Sequence, residues 1–155
     1  MGAGHRRRTM ADDLTSLHRW ADGLLQNLAP AARRQLARDV AQALRASQQK
    51  RIASQANPDG TAYVPRLRQK TGRVRRQMFA KMRTARYLKA SATSEEAIIS
   101  FAGRVERIAR VHQYGLRDRV RPGGPEVQYA QRELLGYTDQ DVERIEELVI
   151  SRLAR

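Results

Sequence analysis

Cysteine is absent from the 155 residues, which excludes disulfides, thiolate metal sites and a thiol nucleophile. That absence suits a reducing compartment such as the cytoplasm. No run of about 18 apolar residues occurs, so no stretch reads as a membrane-spanning helix. The N-terminus carries charges where a secretory signal needs an apolar core, which argues against secretion. Aromatic residues make up only 5% of the chain. Tyr63, Phe79, Tyr87 and Phe101 are scattered and read as core residues, so base stacking of the kind used on single strands has little support. Catalytic patterns are missing too. The chain has His5, His18 and His112 as its three histidines and lacks HExxH, GxSxG, Walker A and GxGxxG patterns. Without a nucleophile–base pair or a cluster of metal ligands, we expect no enzyme, no cofactor and no metal.

Acid is scarce in one place and gathered in another. Between residues 45 and 89 the sequence has 13 Lys and Arg residues and a single carboxylate, Asp59. The last 18 residues hold Asp139, Asp141, Glu143, Glu146 and Glu147 against Arg144, Arg152 and Arg155. The formal net charge is +14, and a balance this basic implies dealings with polyanions or acidic protein surfaces. With opposite charge at opposite ends, one copy can attract the next head to tail, the arrangement that generates rings. The terminal acids themselves read as a solvated helix face.

The length fits one domain with a modest core. Residues 1–9 (MGAGHRRRT) read as a leader or remnant outside the fold, with Met10 as a natural start, leaving 10–155 as a single domain. A helix is predicted over 12–28, where Leu14, Leu17, Ala21, Leu24, Leu25 and Leu28 form a stripe and Trp20 sits at its edge. Pro30 suits the first position of a second helix, about 31–55, with Leu36, Val40, Ala43, Leu44 and Ser47 on one face. Asn57-Pro58-Asp59-Gly60 is a turn, and 61–67 an extended segment that Pro65 keeps out of any central strand. A basic linker follows over 68–73. Val74, Met78 and Met82, spaced by four, predict a short helix. The loop over 57–73 is long enough to be either functional or mobile.

Residues 87–92 and 97–102 flank a polar connector and predict a β-hairpin, which needs helices to pack on. In the stretch 103–116 (GRVERIARVHQYGL), Val105, Ile108 and Val111 recur at steps of three and predict a helix stopped by Gly115. The basic loop 117–125 carries the breaker Pro122-Gly123-Gly124-Pro125. A brief strand is expected over 126–129 and a helical turn over 131–135. The last helix starts at Thr138 as N-cap and turns Val142, Ile145, Leu148, Val149 and Leu153 inward. The expected fold is α+β: a small antiparallel sheet or hairpin packed with N-terminal helices and a C-terminal helix, with long basic loops.

His112 has two readings. Beside Tyr114 it is a candidate at a contact surface; alternatively it is a satisfied histidine whose charged form the helix C-terminus favours. The remaining candidates are arginines able to meet a protein neighbour or a DNA backbone: Arg66, Arg68, Arg73, Arg75 and Arg76, then Arg117, Arg119 and Arg121. Phosphate contact needs no base-reading motif, so a small basic, sequence-non-specific DNA-binding protein stands as an alternative function.

Four blocks, in this order and spacing, carry a resemblance: KRIASQANPDGTAYVPRL from Lys50, RRQMFAKMRTARYLKASA from Arg75, RIARVHQYGLRD from Arg107 and QYAQRELLGYTDQD from Gln128. Together they resemble the phage virion morphogenesis family, which contains the tail completion proteins of Mu-like and related contractile-tailed phages. The resemblance covers nearly the whole chain from Met10. It implies a non-enzymatic structural protein that acts late in tail assembly, capping or completing the tail, or sitting at the head–tail junction so that the two join. It further implies a homo-oligomeric ring, often six-fold, with tail tube, sheath or connector proteins as partners. Its place would be the host cytoplasm during assembly and the virion afterwards. It brings no catalytic residues. The loops 57–73 and 117–125 become candidates for docking neighbours or lining a DNA channel.

Overall fold

A computed structural model describes residues 10–66 and 76–155. Four α-helices frame two small antiparallel hairpins, an α+β arrangement. α1 (Met10–Leu25) packs on the C-terminal helix, and α2 (Pro30–Ala53) is the central beam. Pro30 opens α2 where its missing N–H costs nothing. Leu36, Ala41, Leu44, Gln48, Arg51 and Ile52 form its buried side, and the predicted Val40, Ala43 and Ser47 flank that side half-buried.

β1 (Leu88–Ala92) and β2 (Ala97–Phe101) form the predicted hairpin, in register from Leu88↔Phe101 to Ala92↔Ala97. Its two faces follow the period of two. Leu88, Ala90, Ile99 and Phe101 turn inward, whereas Lys89, Ser91, Ile98 and Ser100 face water. α2 lies across the inner face. The connector turns on Thr93, whose hydroxyl accepts from the N–H groups of Glu95 (3.1 Å) and Glu96 (3.0 Å). The core gathers Ile52, Tyr63, Met82, Tyr87, Leu88, Phe101, Val105, Ala109 and Leu134, so all four predicted core aromatics are buried or pack against it.

A 3-10 turn over Gly103–Val105 leads into α3 (Glu106–Tyr114). Gly115 ends α3 in the left-handed region, φ 61°. The N–H of Leu116 donates to Val111 O (2.9 Å) and that of Gly115 to His112 O (3.4 Å), the two bonds of a Schellman stop. The inward face differs from the expected one. Val105, Ala109 and Val111 are buried while Ile108 is 46% exposed.

β3 (Arg117–Arg119) and β4 (Glu126–Gln128) pair as a second hairpin inside the predicted basic loop. Pro122-Gly123 makes its tip: Gly123 has φ 71° and Gly124 N–H donates to Arg121 O at 2.9 Å, the pattern of a type II turn. α4 (Asp139–Leu153) begins at a capping box in which Thr138 Oγ1 accepts from Asp141 N–H and Asp141 accepts from Thr138 N–H. Asp141 is therefore 5% exposed, which corrects its placement among solvated acids. Val142, Ile145, Leu148, Val149 and Leu153 turn inward as predicted, and Arg152 ties α4 to Asp39 of α2 at 2.7 Å.

Two expected helical pieces are absent. Residues 76–86 form a chain of turns, with Phe79 at φ 63°, a conformation no right-handed helix can pass through; Val74 lies outside the described residues. Residues 131–135 carry no helical turn and run as irregular chain.

Candidate functional site

The irregular run over 132–136 is held almost entirely by side chains. Gln113 of α3 donates to Leu135 O (2.8 Å) and accepts from Leu135 N–H (2.9 Å). Gln48 of α2 does the same for Gly136, at 2.7 and 3.2 Å. Each amide thus offers one residue the donor and acceptor that a neighbouring strand would supply. Arg51 sends Nη1 to the carbonyls of Glu133 (2.7 Å) and Ala56 (3.0 Å), and Nη2 to Leu134 O (2.8 Å) and to Gln48 Oε1. Tyr63 OH donates to Glu133 O, and Asn57 Oδ1 accepts from Glu133 N–H. Burial lowers the Arg51 pKa, with partial relief from Tyr63 and Asp141. A Cβ on Gly136 would collide with the Pro58 ring, so the strap seats directly on the predicted 57–60 turn. Gln55 repeats the device on the turn region, bonding both N–H (3.2 Å) and O (3.0 Å) of Met78.

Arg132 continues the strap towards α3. Its Nε donates to Val64 O (2.7 Å), its Nη2 to Pro65 O (3.0 Å) and its Nη1 faces His112 Nδ1 at 3.1 Å. A guanidinium cannot accept a hydrogen bond. His112 Nδ1 is therefore the acceptor, and the ring is the neutral Nε2–H tautomer. Its edges meet Phe79 and Tyr129 at ring separations of 4.8 and 5.1 Å. Burial first, and the Arg132 charge second, push the His112 pKa down to about 4. His112 is thus the satisfied histidine of the second reading, but neutral rather than charged, because the aromatic cage and the cation outweigh the dipole.

The strap and cage fix α3, and α3 fixes the second hairpin. Arg107 pairs with Asp118 of β3 through two guanidinium nitrogens, Nε and Nη2, and this pairing chiefly holds the Asp118 pKa below the usual range. With Asp118 turned to α3, Arg117 and Arg119 share the opposite face of β3 and are exposed. Arg119 lies 3.9 Å from Glu126 across the hairpin. Arg121 and the 46%-exposed Val120 stand at the tip, and Tyr114, at the end of α3, is 64% exposed. The structure thus brings Tyr114, Arg117, Arg119 and Arg121 onto one exposed unit beside Gly115. Of the other candidates, Arg66 donates to Arg76 O at 3.0 Å and both side chains are exposed. Arg68, Arg73 and Arg75 lie outside the described residues.

Sequence reasoning missed Gln48, Arg51, Gln113 and Arg132. A signal existed for two of them. Leu44, Gln48, Arg51 and Ile52 follow the helical spacing of the buried side of α2, and a polar pair on that spacing marks a buried network. What this arrangement offers chemically is an exposed set of guanidinium groups on a hairpin tied to α3, suited to carboxylates or phosphates.

The family model of the phage virion morphogenesis proteins matches residues 12–154, and the chain belongs to that family. A curated relative is the Tail completion protein S of Escherichia phage P2. It is 46% identical over 138 residues, covering 86% of this chain and 92% of the relative. No solved structure matches.

Proposed function

We propose that this chain is a structural tail completion protein that works as a homo-oligomeric ring, closing the tail and enabling it to join the head. The observation that carries the reading is the likeness to a tail completion protein over nearly the full length of both chains. The geometry supports it. Two long-range devices, the strap and the Arg132–His112 cage, hold α3 and the Arg117–Gln128 hairpin as one rigid, exposed unit, which suits a part that docks on neighbours. Tail tube, sheath or connector proteins are the partners, in the host cytoplasm during assembly and in the virion thereafter. The exposed arginines make non-specific DNA contact a secondary property. A structural role, rather than an enzymatic one, is the reading that the relative's name supports.

Deleting the gene for this chain from the phage or prophage that encodes it tests the proposal. The expected outcome is filled heads and separate tails, with joined infectious particles restored when the chain is supplied in trans. Normal yields of joined particles without it would overturn the reading.

A further inference from the structure

Among the described residues, the outward face of α4 makes no ion pair with another element. Asp139, Glu143, Glu146 and Ile150 fall on one stripe at steps of four, three and four, with Glu147 beside them, and all five are exposed. Ile150 is 56% exposed, an apolar side chain at the end of a row of acids. The Arg117–Gln128 hairpin is its counterpart in opposite charge: Val120 stands 46% exposed between Arg119 and Arg121, with Arg117 on the same strand. Among the described residues, Glu143, Glu146, Arg117 and Arg121 form no ion pair. On a chain of net charge +14, most ways of bringing two copies together juxtapose like charges. Setting the acidic stripe of one copy on the basic hairpin of the next replaces that repulsion with attraction at the contact.

We infer that the outward stripe of α4 and the β3–β4 hairpin are the two halves of a heterologous contact between copies of this chain. The inference rests on the oligomeric reading proposed above and names its surfaces. A contact between different patches repeats head to tail and closes into a ring where the rotation permits. Rising salt weakens it, because the exposed charges are screened.

Sedimentation velocity on the full-length chain tests it with two charge-reversed variants. One carries Glu143→Lys and Glu146→Lys, sparing Glu147, which pairs with Arg144. The other carries Arg117→Glu and Arg121→Glu, sparing Arg119, which faces Glu126. Each variant alone is expected to lose self-association on the order of tenfold or more. An equimolar mixture is expected to recover it, since each variant then offers the other a complementary face; that recovery also shows that both variants are folded. If the wild type associates and neither reversal weakens it, the two surfaces are wrong while the oligomeric reading stands. If the mixture fails to recover although circular dichroism matches the wild type, the pairing is likewise wrong. A wild-type chain that stays monomeric at every concentration overturns both.

Discussion

His112 sits in the last turn of α3, where the negative end of the helix dipole favours an imidazolium. Its tertiary neighbours oppose that preference. Phe79 and Tyr129 desolvate the ring, and Arg132 places a cation 3.1 Å from Nδ1. The folded-state pKa of about 4 lies below the ordinary 6.5, so between these values the unfolded chain binds more protons. Its contribution to stability is complete above pH 6.5 and is lost as pH falls towards about 4. For a ring still half open to water, the loss is roughly 1–2 kcal/mol after allowance for solvent screening. We predict that urea midpoints of the wild type fall more steeply between pH 7 and pH 4.5 than those of His112→Asn, which keeps an acceptor but has no proton to gain. Parallel slopes would show that His112 does not titrate this way.

The strap over 132–136 is the element on which the exposed unit depends, and Arg51 is its central tie. Four acceptors converge on that one guanidinium: the carbonyls of Ala56, Glu133 and Leu134, and Gln48 Oε1. Arg51→Met fills similar volume and strips the donor from the carbonyls of Ala56 and Leu134, while Glu133 O keeps Tyr63 OH and Gln48 Oε1 keeps Gly136 N–H; the expected cost is about 3–5 kcal/mol, read from urea denaturation. Arg51→Lys is expected to recover little of it, because an ammonium lacks the planar fork. A loss within about 0.5 kcal/mol for Arg51→Met would assign the strap's stability elsewhere. The same element marks where sequence reading stopped. The β1–β2 hairpin, the Gly115 stop and the Thr138 cap were legible because each is set by residues within a few positions of itself. Residues 76–86 and 131–135 have helical spacing or helix-forming composition, yet distant amides decide their conformation: Gln55 holds Met78, while Gln48 and Gln113 hold Gly136 and Leu135. No local period carries that information. The candidate arginines on the hairpin were legible from charge and turn chemistry. Their mounting through Asp118 to Arg107 appears only once β3 and α3 are placed side by side.

At the scale of the molecule, the net charge of +14 admits two partners, an acidic protein surface or a nucleic-acid backbone. The two differ in what surrounds the charge. A backbone contact neutralises phosphates with cations alone, whereas a protein contact sets the cations on a matching acidic face. The contact inferred above is of the second kind, with α4 of a neighbouring copy as the matching face. The most direct test is cryo-electron microscopy of intact particles with this chain located in the density. A closed ring of copies is expected at the end of the tail that meets the head, each copy's α4 against the next copy's β3–β4 hairpin. Copies spread along the tail, or particles that contain none, would contradict it.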